Sequence, residues 1–185
     1  NYEGGCIKIM HALDTTEVNG LTLIHGIGSS STYNGGAIYA YESYIKIKNC
    51  IVKNNQTLGY GAGIMLYKSD GFISNTIVKN NHSHWRGGGI NLLHGELIFD
   101  SIMPSSIFLN YAAMGTDFYK LGDCPPIHLY LDTATVASPD HYYLYSDSGG
   151  GFPADDITYN INNPAIQQVS QDIYVSNDGD NSNSG

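Results

Sequence analysis

At 185 residues, with a formal net charge of −9 and 14% charged against 42% hydrophobic side chains, the chain is neither a coiled coil nor an acidic disordered tail. Eight Lys plus Arg against 17 Asp plus Glu argue against a nucleic-acid groove, which needs a basic surface. The apolar runs fall far short of the ~20 residues that a membrane helix requires, so membrane insertion is not expected.

The chain opens at Asn1 without a basic or apolar leader, so an exported protein would already have shed its signal. Gly4-Gly5-Cys6-Ile7-Lys8-Ile9 reads as the middle of a repeat, with no cap before it. Cys6, Cys50 and Cys124 are odd in number and widely spaced, which implies neither a disulfide framework nor a zinc site.

Next come the repeats. Gly35-Gly36-Ala37-Ile38, Gly61-Ala62-Gly63-Ile64 and Gly87-Gly88-Gly89-Ile90 recur every 26 residues. Ile51-Val52-Lys53-Asn54-Asn55 lies over Ile77-Val78-Lys79-Asn80-Asn81 without a gap. The third copy holds to Ile98, takes a four-residue insertion around Pro104, and resumes as Ile107-Phe108-Leu109-Asn110. Each unit contains short alternating runs such as Tyr44-Ile45-Lys46-Ile47-Lys48, broken by Gly and Asn. That is the pattern of strands and turns, with no helical period. Equivalent strands of successive units can stack at ~4.8 Å as parallel sheets. The spacing therefore predicts an all-β, right-handed parallel β-helix of about four coils over 1–119. Gly35, Gly61 and Gly87 are its tight corners. Asn54, Asn80 and Asn110 form one stacked ladder, and Asn49 and Asn75 share a register.

Residues 120–171 read as short strands, among them Ile127-His128-Leu129-Tyr130-Leu131, Tyr142-Tyr143-Leu144-Tyr145 and Ile157-Thr158-Tyr159-Asn160-Ile161. A small antiparallel segment capping the solenoid end is expected. Charge divides at the same place. Residues 1–116 carry seven acids and seven bases, whereas 117–185 carry ten Asp and only Lys120. An acidic appendage over 120–185 is the second expected unit.

The Gly-Gly-Ala-Ile and Ile/Phe-x-x-Asn elements resemble the repeats of bacterial surface and autotransporter β-helices, the chlamydial polymorphic membrane proteins among them. Residues 107–117 and 173–185 are similar to the closing and opening segments of large secreted multi-module β-helix proteins. The resemblance implies the pectate-lyase-like β-helix architecture and an extracellular or cell-surface location. Architecture alone does not imply an activity.

Candidate sites are few. Polysaccharide hydrolysis needs paired carboxylates, and Asp70 and Glu96 share a phase one coil apart, although Asp70-Gly71 is also an ordinary turn pair. Polygalacturonase-type Asn-Thr-Asp and Arg-Ile-Lys elements are absent, and Asp155-Asp156 lies outside the coils. A lyase-type site is equally poor, because Arg86 is the only Arg and has no acidic cluster on its coil. No catalytic residue is assigned.

Asn34, Tyr60 and Arg86 precede successive glycine corners, with Trp85 beside Arg86. Tyr60, Trp85 and Arg86 are thus a candidate sugar-binding column, with Trp85 alternatively covering the solenoid. His82 and His84 offer two imidazoles without a third ligand. Asp178 and Asp180 alternate as in a calcium loop but lack the closing Glu; no other cofactor is expected. Asn55-Gln56-Thr57 and Asn81-His82-Ser83 are glycosylation sequons. The expected function is a structural or adhesive module associating head to tail with copies of itself into a filament or array. Surface-glycan binding or polysaccharide cleavage is the alternative.

Overall fold

The computed structural model describes residues 4–28, 35–147 and 155–166. Its first coil comprises β1 (Ile7–Met10), β2 (Thr16–Asn19), β3 (Thr22–Ile24) and β4 (Ile27–Gly28). The second comprises β5 (Ile38–Tyr41), β6 (Tyr44–Lys48), β7 (Ile51–Lys53) and β8 (Gln56–Thr57). β9 (Ile64–Tyr67), β10 (Asp70–Ser74), β11 (Ile77–Lys79) and β12 (His82–Ser83) form the third. β13 (Ile90–Leu93), β14 (Leu97–Phe99) and β15 (Ser105–Phe108) follow in the fourth, then β16 (Phe118–Leu121) and β17 (Ile127–Ala134). β18 (Leu144–Asp147) and β19 (Ile157–Pro164) close the described chain.

Corresponding strands stack in parallel into four sheets. The first sheet runs β1-β5-β9-β13-β16-β18 and the third runs β3-β7-β11-β15-β17-β19. Ile7, Ile38, Ile64, Ile90, Phe118 and Leu144 are consecutive partners in the first sheet, so the chain is a parallel β-solenoid of about five turns. The fifth turn lies in the segment expected to be antiparallel. β18 pairs parallel with β16, and β17 pairs parallel with β15 and β19. Alternating side chains show that a strand has two faces but do not show its direction. The 26-residue step from Phe118 to Leu144 continues the repeat through the acidic segment.

Every second strand residue points inward. Ile38/Ala40, Ile64/Leu66 and Ile90/Leu92 from the first sheet meet Ile45/Ile47, Ile73 and Leu97/Phe99 from the second. Val52, Val78 and Ile107 close the triangle from the third. In the fifth turn Lys120 occupies the row of Leu66 and Leu92. Its side chain is only 2% exposed. The ammonium donates to Asp156 Oδ2 at 2.7 Å and to the Pro125 and Cys124 carbonyls at 2.8 and 3.4 Å. The second sheet ends at β14, and this ion pair lies beside the apolar side chains of Phe118, Leu129 and Leu144, which continue the core.

The ladder that defines the coil register is one residue away from the expected one. Asn54 and Asn80 are exposed corner residues with φ of 56° and 54°, in line with Leu109 at 54°. The buried ladder is Asn55, Asn81 and Asn110. Asn55 Nδ2 donates to Asn81 Oδ1 at 2.9 Å, and Asn81 Nδ2 to Asn110 Oδ1 at 3.0 Å. Each Oδ1 also accepts the backbone N–H of the preceding rung, and Asn55 Oδ1 accepts from Gly26 N. Each Nδ2 makes a second bond to a carbonyl one coil earlier: Leu23, Val52 or Val78. The cause of the misalignment is the insertion near Pro104. It has three residues, because Val78 pairs with Ile107. A one-residue slip exchanges inward and outward side chains. Asn49 and Asn75 do stack, at 2.8 Å, with Asn19 below them, but on the outside.

The buried ladder ends on Asp117, whose Oδ1 accepts both Asn110 N and Nδ2, while Thr135 Oγ1 donates to Oδ2. Burial pushes this carboxyl up to about 6 against these stabilising donors.

Two outcomes are expected. Asn81→Ala leaves the buried Asn55 N–H without an acceptor and takes the Nδ2 donor from Asn110 Oδ1 and the Val52 carbonyl, costing about 4 kcal/mol in urea unfolding. Asn80→Gly, which relieves a left-handed corner, stays within about 1 kcal/mol of the parent; the opposite order would contradict the register. Secondly, the native state holds a proton on Asp117 between pH about 4 and about 6 that the unfolded chain does not. Its contribution therefore makes stability fall, by about 3 kcal/mol, as pH rises through that window, and is flat above it. Asp117→Asn should abolish that slope in denaturant titrations at successive pH values.

Candidate functional site

The outward residues of the first sheet form two rows. Lys8, Tyr39, Met65, Asn91, Tyr119 and Tyr145 are one; Met10, Tyr41, Tyr67, Leu93, Leu121 and Asp147 are the other. Beside them the chain returns through Gly61, Gly87 and Gly115, with φ of 65°, 60° and 56°. A Cβ on Gly87 would lie 2.6 Å from Ile90 O, so the corner requires glycine on two counts. Gly35, the expected first corner, is not in that left-handed region, but a Cβ there would lie 2.2 Å from Ile38 O.

The residue before each of these left-handed corners joins a bridge ladder, Tyr60 to Arg86 to Met114. Asn34, the expected first member of that column, lies outside the described residues. The ladder brings Tyr60 and Arg86 beside the first sheet. The Arg86 guanidinium carbon lies 5.8 Å from the Tyr60 ring centre and 5.1 Å from that of Tyr119. Tyr119 stacks on Tyr145 with ring centres 5.2 Å apart and planes 2° apart. Asn91 Nδ2 donates to Arg86 O at 3.4 Å, tying the sheet to the return strand.

Together Tyr60, Tyr67, Arg86, Asn91, His94 and Tyr119 line a hollow of about 200 Å³. Tyr119 is 1% exposed, and its buried hydroxyl has no hydrogen-bond partner among the described residues. Burial pushes that hydroxyl up to about 12, against the opposing pull of Arg86. It is therefore a proton donor across the neutral range. The hollow can hold a small polar molecule against ring faces, with a cation and a hydroxyl as anchors.

Trp85 does not belong to it. Adjacent residues of an extended return strand face opposite ways. Trp85 is 56% exposed and meets His84 edge-on at 5.1 Å, so it neither joins Arg86 nor covers the solenoid. Sequence reading missed Tyr67, Asn91, His94 and Tyr119. Asn91 lies 26 residues beyond Met65, but Tyr119 comes 28 after Asn91, out of step with a strict 26-residue period.

The remaining candidates have structural roles. Asp70 Oδ1 accepts the Glu96 N–H at 2.8 Å, capping the next coil's turn. Asp156 pairs with Lys120, and Asp155 lies 3.8 Å from His141. His82 packs edge-on against Tyr111 at 4.7 Å. Among the described residues no three His, Cys, Asp or Glu side chains converge as a metal site. The calcium-like Asp178 and Asp180 lie outside the described residues. Cys50 is buried, its N–H bonded to Thr76 Oγ1, and Cys6, Cys50 and Cys124 are all free thiols.

No family model, curated protein or solved structure matches the chain.

Burial of the ladder carries a direct consequence for modification. Asn55 and Asn81 are each 1% exposed, so neither sequon should carry glycan in the folded chain. Intact-mass measurement after secretion from a glycosylating host should show no added hexose at either site; a glycan on Asn81 would contradict the ladder.

Proposed function

We propose that the chain is a structural, non-catalytic solenoid module that extends by stacking its end coils on those of another copy, as a spacer or adhesive element of an extracellular assembly. The observation that carries this reading is the open first coil. Among the described residues β1, β2 and β3 each have a strand neighbour on one side only, leaving a row of backbone donors and acceptors as a template for a further parallel strand. Around that edge Met10, Leu13, Leu21, Ile24 and Ile27 are exposed, Leu13 at 101%. At the other end β18 and β19 are likewise last in their sheets among the described residues. Stacking the last coil of one copy on the first coil of the next is a heterologous contact that does not close on itself, so it propagates. The likeness of the Gly-Gly-Ala-Ile and Ile-x-x-Asn elements to repeats of surface β-helices supports the extracellular setting.

Light scattering coupled to size exclusion is the test. Mass should rise with protein concentration, and Leu13→Asp or Ile24→Lys, both at exposed positions of the first coil, should hold the chain at monomer mass with its far-ultraviolet spectrum intact. A wild-type chain that stays monomeric at high concentration would overturn the proposal.

A further inference from the structure

Arg86 is the only arginine in the chain, and its guanidinium makes no ion pair or hydrogen bond among the described residues. Its contacts are the ring faces of Tyr60 and Tyr119. A guanidinium stacked in this way keeps its N–H edge free, and that edge matches a carboxylate in a bidentate fork. In the same hollow, the hydroxyl of fully buried Tyr119 is without a partner. Buried polar groups are almost always satisfied, so an orphaned hydroxyl in a concave site marks a position that a ligand atom or water fills. Asn91, 3% exposed, uses Nδ2 on the Arg86 carbonyl, and its Oδ1 takes no hydrogen bond among the described residues. The hollow therefore offers a cation, a hydroxyl donor, an amide acceptor and tyrosine rings within about 200 Å³. That combination suits a single sugar ring bearing a carboxylate. The ring lies against an aromatic face, a hydroxyl reaches Asn91, and the acid group meets Arg86 and Tyr119.

We infer that this hollow is a binding subsite for an acidic monosaccharide unit, the carboxylate taken by Arg86 and the Tyr119 hydroxyl. The inference does not depend on self-association, because the hollow is built within one chain from the second to the fifth turn. A bare carboxylate or phosphate would use the cation but not the rings or Asn91. A neutral sugar would use the rings but leave the guanidinium unpaired. The two halves of the site thus make separable demands.

The experiment is titration of the full chain with glucuronate, glucose, acetate and inorganic phosphate, followed by amide chemical shifts and calorimetry. Glucuronate should saturate in the millimolar range, with the other three each about tenfold weaker or more. Shifts should centre on Tyr60, Arg86 and Asn91. Arg86→Gln should abolish binding. Tyr119→Phe removes only an oxygen with no partner, so it should leave the thermal midpoint unchanged or higher while weakening glucuronate about three- to tenfold. Acetate or phosphate binding as tightly as glucuronate, or Tyr119→Phe binding it as well as the parent, would overturn the inference.

Discussion

A stacked coil satisfies its backbone within the sheets but must also turn corners, and each corner leaves an N–H facing the interior with no strand opposite. In this chain side-chain oxygens from the next coil supply the missing acceptors. Ser43 and Ser69 do so at the first corner, accepting from Ala12 and Ser43. Thr76 and Ser105 do so at the second, accepting from Cys50 and Thr76. Asn55, Asn81 and Asn110 do so at the third. Only the asparagines also donate onward, so they alone form a continuous chain with one polarity. Such a chain needs an acceptor at its end that demands no donor in return. Asp117 is that acceptor, and Thr135 satisfies its second oxygen.

Because core and corners fix the frame, the outward residues carry little structural duty and can specialise. Two outward-facing ladders show the contrast. Asn19, Asn49 and Asn75 bond one another in solvent, where a hydrogen bond exchanges for one to water and yields little. The outer face of the first sheet is different, because the return strand shields it on one side. Tyr39, Met65, Asn91 and Tyr119 are consequently buried although they point away from the core. Partial shielding turns a row of tyrosines into a walled hollow, and it leaves a hydroxyl and a guanidinium inside with no hydrogen-bond partner among the described residues.

Much of the frame was legible in the sequence because three glycine corners and the paired Ile-Val-Lys-Asn-Asn runs repeat at one spacing. The errors came where that spacing changes. Matching Ile-x-x-Asn at 107–110 to Ile-x-x-Asn at 77–80 looked natural, yet it required one residue too many in the insertion and put Asn110 on the exposed corner row. Inward burial of Ile107 beside Val78 resolves the register. Similarly, the acidic composition after residue 117 suggested a separate unit. Asp123, Asp132, Asp140 and Asp155 are exposed, however, while Phe118, Leu129 and Leu144 continue the core. Tyr60 and Arg86 were found from their place before a glycine. Tyr119 was not, since only the longer fourth turn brings it under Arg86.

The central claim, that buried asparagine side chains one residue away from the exposed corners hold the coils together, is tested most directly by hydrogen exchange of the side-chain carboxamides. Nδ2 protons of Asn55, Asn81 and Asn110 should exchange only on global unfolding, whereas those of Asn19, Asn49, Asn75, Asn54 and Asn80 exchange from the native state. Rapid exchange at Asn81, indistinguishable from Asn80, would contradict the account.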